Sequence, residues 1–145
     1  MAEEVSILDK LGVDVGYKTS VMKTITEADI LLFAAVSSDF NPVHMCEEFA
    51  QKTFFGSRIA HGVISIGLLS AAMTKLPGLV IFLSSSVKFL KPVRIQDTIT
   101  ITATAEVIAV RKDKGIVTLK NTCVNQKGET VVEGEAAVRL YPKPE

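Results

Sequence analysis

The residues with the most chemical potential in this chain lie in one short stretch, Asp39-Phe40-Asn41-Pro42-Val43-His44. A carboxylate and an imidazole stand five positions apart there, on a segment that Asn41-Pro42 stiffens and turns away from helical geometry. Both side chains can face one cleft. A carboxylate beside a histidine moves protons near neutral pH, taking one from water and delivering one to carbon, with no metal required. Such a pair suits addition of water to an activated double bond, given a stabiliser for the negative charge that develops on the adjoining carbonyl oxygen.

A second stretch, Phe55-Gly56-Ser57-Arg58-Ile59-Ala60-His61-Gly62, offers that stabiliser. It opens the apolar run Gly62 to Met73, which reads as a helix. Free N–H groups and the dipole at a helix start favour negative charge. Gly62 has no side chain to hold a ligand off the backbone, so its N–H is the expected seat of the oxyanion. His61 is either a substrate contact or a structural, capping histidine. Asp39 and Asn41 also suit a plain turn-forming role, since both side chains bond local backbone; His44 and the downstream Gly56, Ala60, His61 and Gly62 favour the chemical reading. Ser37, Ser57 and Ser65 form no nucleophile elbow of the Gly-x-Ser-x-Gly kind. Arg58, Lys88, Lys91 and Arg94 are either phosphate contacts or ordinary solvated charges.

These residues need elements to position them. Partial alternation from Val13 to Lys23 predicts a strand. Thr26, followed by Glu27 and Asp29, predicts the capped start of a helix so apolar that it should pack on something large. Ser37–His44 and Thr53–His61 read as loops, with one or two helical turns over Glu47–Lys52 between them. The helix Gly62–Met73 is apolar all round, hence buried on most sides, and Pro77-Gly78 stops it. Then come Leu79–Leu90, Asp97–Val110, Gly115–Asn125 and Glu129–Leu140, rich in Val, Ile and Thr and separated by turn signals. Helices first and strands after them indicate an α+β fold, an antiparallel sheet curved round the apolar helix.

Composition bounds the rest. The 145 residues suit a single domain over 1–145, with residues 1–10 loosely ordered. Sixteen basic residues balance sixteen acidic ones, which gives no support to nucleic-acid binding. No run approaches the roughly 20 apolar residues of a membrane helix. The acidic start MAEEVSILDK lacks the apolar core of a signal peptide, so a cytoplasmic location is expected. Cys46 and Cys123 match no metal spacing and read as free thiols of a reducing compartment.

Taken together, Asp39-Phe-Asn41-Pro42-Val-His44, with Ala50 six residues on, resembles the hydratase-2 signature of MaoC-like (R)-specific enoyl-CoA hydratases. Phe55 to Gly62 is similar to the segment that opens the central helix there. The resemblance spans Thr26 to Met73 by motif and the strand-rich remainder by layout. It implies a hot-dog fold, a homodimer, a place in fatty acid metabolism, and an acyl-CoA substrate with no cofactor besides. It also implies that Asp39 and His44 activate water for syn addition to a 2-enoyl-CoA, giving an (R)-3-hydroxyacyl-CoA, and that Asn41 orients the loop or a dyad partner. Ser38 departs from the family, which usually has Gly before the Asp; a serine fits if the backbone keeps ordinary dihedrals. Gly62, Ile66, Ser70 and Met73 lie near one helix face, which in related enzymes borders the acyl tunnel. Small Ser70 leaves space and Met73 partly closes it, implying short to medium chains. Two rivals stand beside this reading. A hot-dog thioesterase often carries its acid on the central helix, yet Gly62 to Thr74 holds no Asp or Glu. A dehydratase subunit acting on 3-hydroxyacyl groups of CoA or acyl carrier protein shares the same chemistry.

Overall fold

The computed structural model describes residues 3–95 and 100–145. In chain order they form α1 (Ile7–Leu11), β1 (Lys18–Thr24), α2 (Glu27–Ser37), α3 (Pro42–Met45), α4 (Glu47–Gln51), α5 (Gly62–Met73), β2 (Leu79–Phe89), β3 (Thr100–Arg111), β4 (Ile116–Val124) and β5 (Thr130–Tyr141). The five strands make one antiparallel sheet in the order β1-β3-β4-β5-β2. With α5 lying across one face, this is the expected hot-dog arrangement.

Period-two patterning builds that face. Ile101, Ala103, Ala105 and Val107 of β3 point inward, as do Val117, Leu119, Asn121 and Cys123 of β4. They meet Ser65, Leu69, Ala72 and Met73 of α5, all buried and spaced along one helical stripe. Burying a leucine such as Leu69 contributes about 1.5–3 kcal/mol. Gly134 of β5 is dictated by close approach: a Cβ there would stand 1.9 Å from the Ser86 carbonyl oxygen on β2.

Several expectations need correction. Within the first twelve residues, Ser6 caps α1, Gly12 ends it in a left-handed turn, and Leu8 is fully buried. Val13 is buried at the exit of that helix rather than in a strand, and β1 starts only at Lys18, beyond the left-handed Gly16. The expected strand from Asp97 has its first three residues outside the described ones. Finally, α2 and α5 bury one stripe each within this chain. Leu31, Leu32 and Val36 stay exposed on α2, as do Val63, Gly67 and Ala71 on α5. Among the described residues, no helix is long and apolar enough to cross a membrane. Both cysteines are free, and burial pushes the Cys123 thiol up to about 12, so it is inert packing at neutral pH.

Candidate active site

The site begins where α2 ends. Ser38 closes that helix by donating its N–H to the Ala34 carbonyl at 2.9 Å, and it does so in the left-handed region at φ 64°. The condition of ordinary dihedrals, under which a serine fits there readily, is therefore not met. A side chain in that conformation costs roughly 1–2 kcal/mol, offset here by the helix-ending bond. Ser37 Oγ accepts the Asp39 N–H at 3.1 Å and donates to the Phe33 carbonyl at 2.6 Å, which swings Asp39 out of the helix.

Asn41 then folds the next turn upon Asp39. Its N–H donates to Asp39 Oδ1 at 3.2 Å, its side chain caps α3 by accepting the Val43 N–H at 3.4 Å, and its carbonyl accepts the His44 N–H at 2.9 Å. Asn41 is exposed and shapes the loop; it does not line the cavity described below. Pro42 at the first helical position tolerates the lost N–H. His44, 9% exposed, donates Nδ1–H to the Ile59 carbonyl at 2.7 Å. That bond leaves Nε2 with its lone pair. Desolvation lowers the His44 pKa below the ordinary histidine value of 6.5; the Ile59 bond and the nearby Asp39 charge oppose it without cancelling it. A carboxylate oxygen of Asp39 and a ring nitrogen of His44 lie within 4.8 Å, with no direct hydrogen bond between them.

Both line a cavity of about 540 Å³ between this loop, the start of α5 and the end of β2. Gly62, Val63 and Ser65 floor it, while Phe55, Phe89 and Leu90 supply apolar walls. The first amides of α5 receive no side-chain cap and remain available to an anion. Gly62 also lets the Phe89 ring close on the helix start: a Cβ there would stand 2.8 Å from that ring and force it to move. Ser70 and Met73 do not line this cavity; Met73 is buried, its sulfur accepting from Asn121 Nδ2 at 3.6 Å.

Arg58 shows a role that its charge alone does not reveal. It donates from Nε to the His44 carbonyl at 2.7 Å and from Nη2 to Glu27 at 2.6 Å, strapping the dyad loop to the start of α2. Arg94 is likewise occupied, by the Phe55 carbonyl and Ser57 Oγ, and Lys91 pairs with Glu129. His61 lies behind the cavity rather than in its wall, 2% exposed, with Nε2 donating to the Asp39 carbonyl at 2.9 Å. Its ring packs 4.1 Å from that of His44 at 32°. Asp39, His44 and His61 make a donor set of the kind transition metals use, with ligand atoms within 4.8 Å of one another, but His44 Nδ1 and His61 Nε2 are each turned to a backbone carbonyl. A larger hollow, about 790 Å³ beside α1, is lined by solvated charges such as the Asp9–Lys112 pair and holds no comparable acid/base set.

The chain matches known proteins over most of its length. A family model described as MaoC like domain matches residues 11–127. The (R)-specific enoyl-CoA hydratase of Rhodospirillum rubrum is 48% identical over 127 residues, covering 86% of this chain and 86% of that protein. The 3-hydroxybutyryl-CoA dehydratase of Methylorubrum extorquens is 37% identical, covering 100% of this chain and 92% of that protein. Among solved structures, the (R)-hydratase from A. caviae involved in PHA biosynthesis superposes with a TM-score of 0.83 at 39% identity, over 89% of this chain and 98% of that one.

Proposed function

The chain belongs to the MaoC-like domain family, and from that premise we propose that it is a hydro-lyase that adds water to trans-2-enoyl-CoA, reversibly, to give (R)-3-hydroxyacyl-CoA. The observation that carries this reading is the open dyad: Asp39 and His44 face one cavity, close but not bonded to each other. Each offers an acceptor to that space, a carboxylate oxygen and a bare Nε2. A water between them donates one O–H to each and turns a lone pair toward C3 of the substrate. As the oxygen bonds to C3, the dyad takes one water proton and the C2–C3 π electrons move toward the thioester. The Gly62 N–H stabilises the enolate oxygen. Neutral His44 has Nδ1–H committed to Ile59 and no proton on Nε2, so the proton taken from water is the one returned to C2. Both groups add from the side that the dyad occupies, which is syn addition. No cofactor takes part in this sequence.

The enzyme acts on short to medium acyl chains of fatty acid metabolism, with Met73 and Ser70, on α5 beyond the residues that line the cavity, closing the acyl path at its deep end. It works as a homodimer in the cytoplasm. Edge strand β2 exposes Ile81, Phe82 and Leu83, each 40–48% accessible, and an apolar sheet edge calls for cover. A second copy provides it through a self-complementary two-fold joint, reaching also Leu32, Val36 and Val63 along the α2–α5 groove. Two free thiols suit a reducing compartment.

The test is loss of enoyl-thioester absorbance with crotonyl-CoA, followed by chiral analysis of the product. Asp39→Asn and His44→Ala should each lower kcat about 10²–10⁴-fold while the protein stays folded. Release of free CoA instead would identify a thioesterase and overturn the reading.

A further inference from the structure

We infer that His61 is a positioning residue, holding Asp39 and His44 in register from behind the cavity; the inference rests on the hydration reading above. Three contacts carry it. The Asp39 carbonyl can only accept, so its 2.9 Å bond to His61 makes the imidazole an Nε2–H tautomer. The same ring packs against His44 at 4.1 Å and Phe33 at 4.8 Å. And His61 directly precedes Gly62, whose N–H is the oxyanion donor. The carboxylate and the imidazole are thus referenced to one side chain, and the amide to that residue's own backbone, although Asp39 lies 22 positions away in sequence.

A purely packing role does not account for a histidine here. His61 Nδ1 is buried with no partner, and a bare buried acceptor is unfavourable. A phenylalanine would fill the space between Phe33 and His44 without that cost. What histidine adds is the N–H on the Asp39 carbonyl. Asp39 follows a serine in the left-handed region, so its peptide needs external support to stay where its side chain meets the cavity. Since His61 is 2% exposed and absent from the cavity wall, it acts through the dyad, not on substrate. A displacement of about 1 Å in a catalytic group lowers rate on the order of 10²-fold.

The experiment compares His61→Phe, which keeps a ring and loses the donor, with His61→Gln, which returns an N–H at similar reach. In crotonyl-CoA hydration, His61→Phe should lose about 10–100-fold in kcat with KM within about two-fold, and His61→Gln should recover most of the loss. Equal kcat in parent and His61→Phe, no recovery in His61→Gln, or a rise in KM alone would overturn the inference. If His61→Phe does not fold, His61→Asn, too short to reach Asp39, replaces it with the same expectations. A second readout does not depend on turnover: the Asp39 carbonyl ¹³C resonance, observed through the Phe40 amide, should shift in His61→Phe and stay near the parent value in His61→Gln. An unmoved resonance in His61→Phe overturns the inference even if the parent fails to hydrate crotonyl-CoA, a failure that would fall on the hydration reading alone.

Discussion

Two helices of this chain begin in opposite ways. At α2, Thr26 Oγ1 accepts the Asp29 N–H at 3.2 Å, and the Asp29 carboxylate accepts the Thr26 N–H at 2.8 Å. Every donor in that box is used, and Lys23 pairs with Asp29 besides. At α5 the capping position holds His61, whose side chain makes no cap bond and turns instead to the Asp39 carbonyl. Its amides face a cavity. The first terminus is finished by its own sequence neighbours and stabilises the helix; the second is left without a side-chain cap, and the proposed reaction completes it with the thioester oxygen. Helix starts thus divide between stability and function according to whether the N-cap side chain serves the helix.

The largest effect should come from removing the unfinished terminus. Gly62→Pro deletes the N–H at a helical position where proline is tolerated. In a Phe89→Ala background, which clears the 2.8 Å contact, it should lower kcat about 10²–10³-fold relative to Phe89→Ala alone. Equal rates in the two variants would mean that the amide does not hold the oxyanion. At the far end of α5, Met73→Ala should lower unfolding free energy by about 2 kcal/mol or more and shift turnover toward longer enoyl-CoAs; an unchanged chain-length profile would remove Met73 from the acyl path. The finished terminus should respond in stability only. Thr26→Ala should cost about 1 kcal/mol in denaturant titration with kcat unaltered, and a fall in kcat would show that α2 capping reaches the dyad.

The smallest effect concerns pH. Burial depresses the folded pKa of His44, so the base stays neutral below 6.5 and the acidic limb of kcat/KM should fall below that value. The sign for stability agrees: the contribution is full above 6.5 and is lost as pH falls through the depressed value, where the native state must take a proton into a buried ring. An acidic limb above 6.5 would assign it to another group.

Much of this was legible because it is local. The Thr26 box spans four residues, the dyad sits on one proline-stiffened turn, and β3 to β5 follow period-two patterning that backbone geometry alone dictates. The conformation of Ser38 was not legible, because it answers to the bond that ends α2 and not to the residue's own preference. Val13 lies outside the expected strand because a buried valine at a helix exit carries the same apolar signal as one in a strand. Arg58 and His61 were visible as residue types but not as roles, since their partners, His44 and Asp39, come from 14 and 22 positions away.

The sequence by itself determined where the candidate acid/base groups lie and which segments become helix or strand, because side-chain chemistry, capping and periodicity act within a few residues. Only the tertiary structure decided that the carboxylate, the imidazole and the α5 amide share one cavity, and that α2, α5 and β2 keep apolar faces their own chain does not cover. Those outcomes depend on which buried surfaces meet across the sheet, and on carbonyl groups that find donors only once distant segments have packed together.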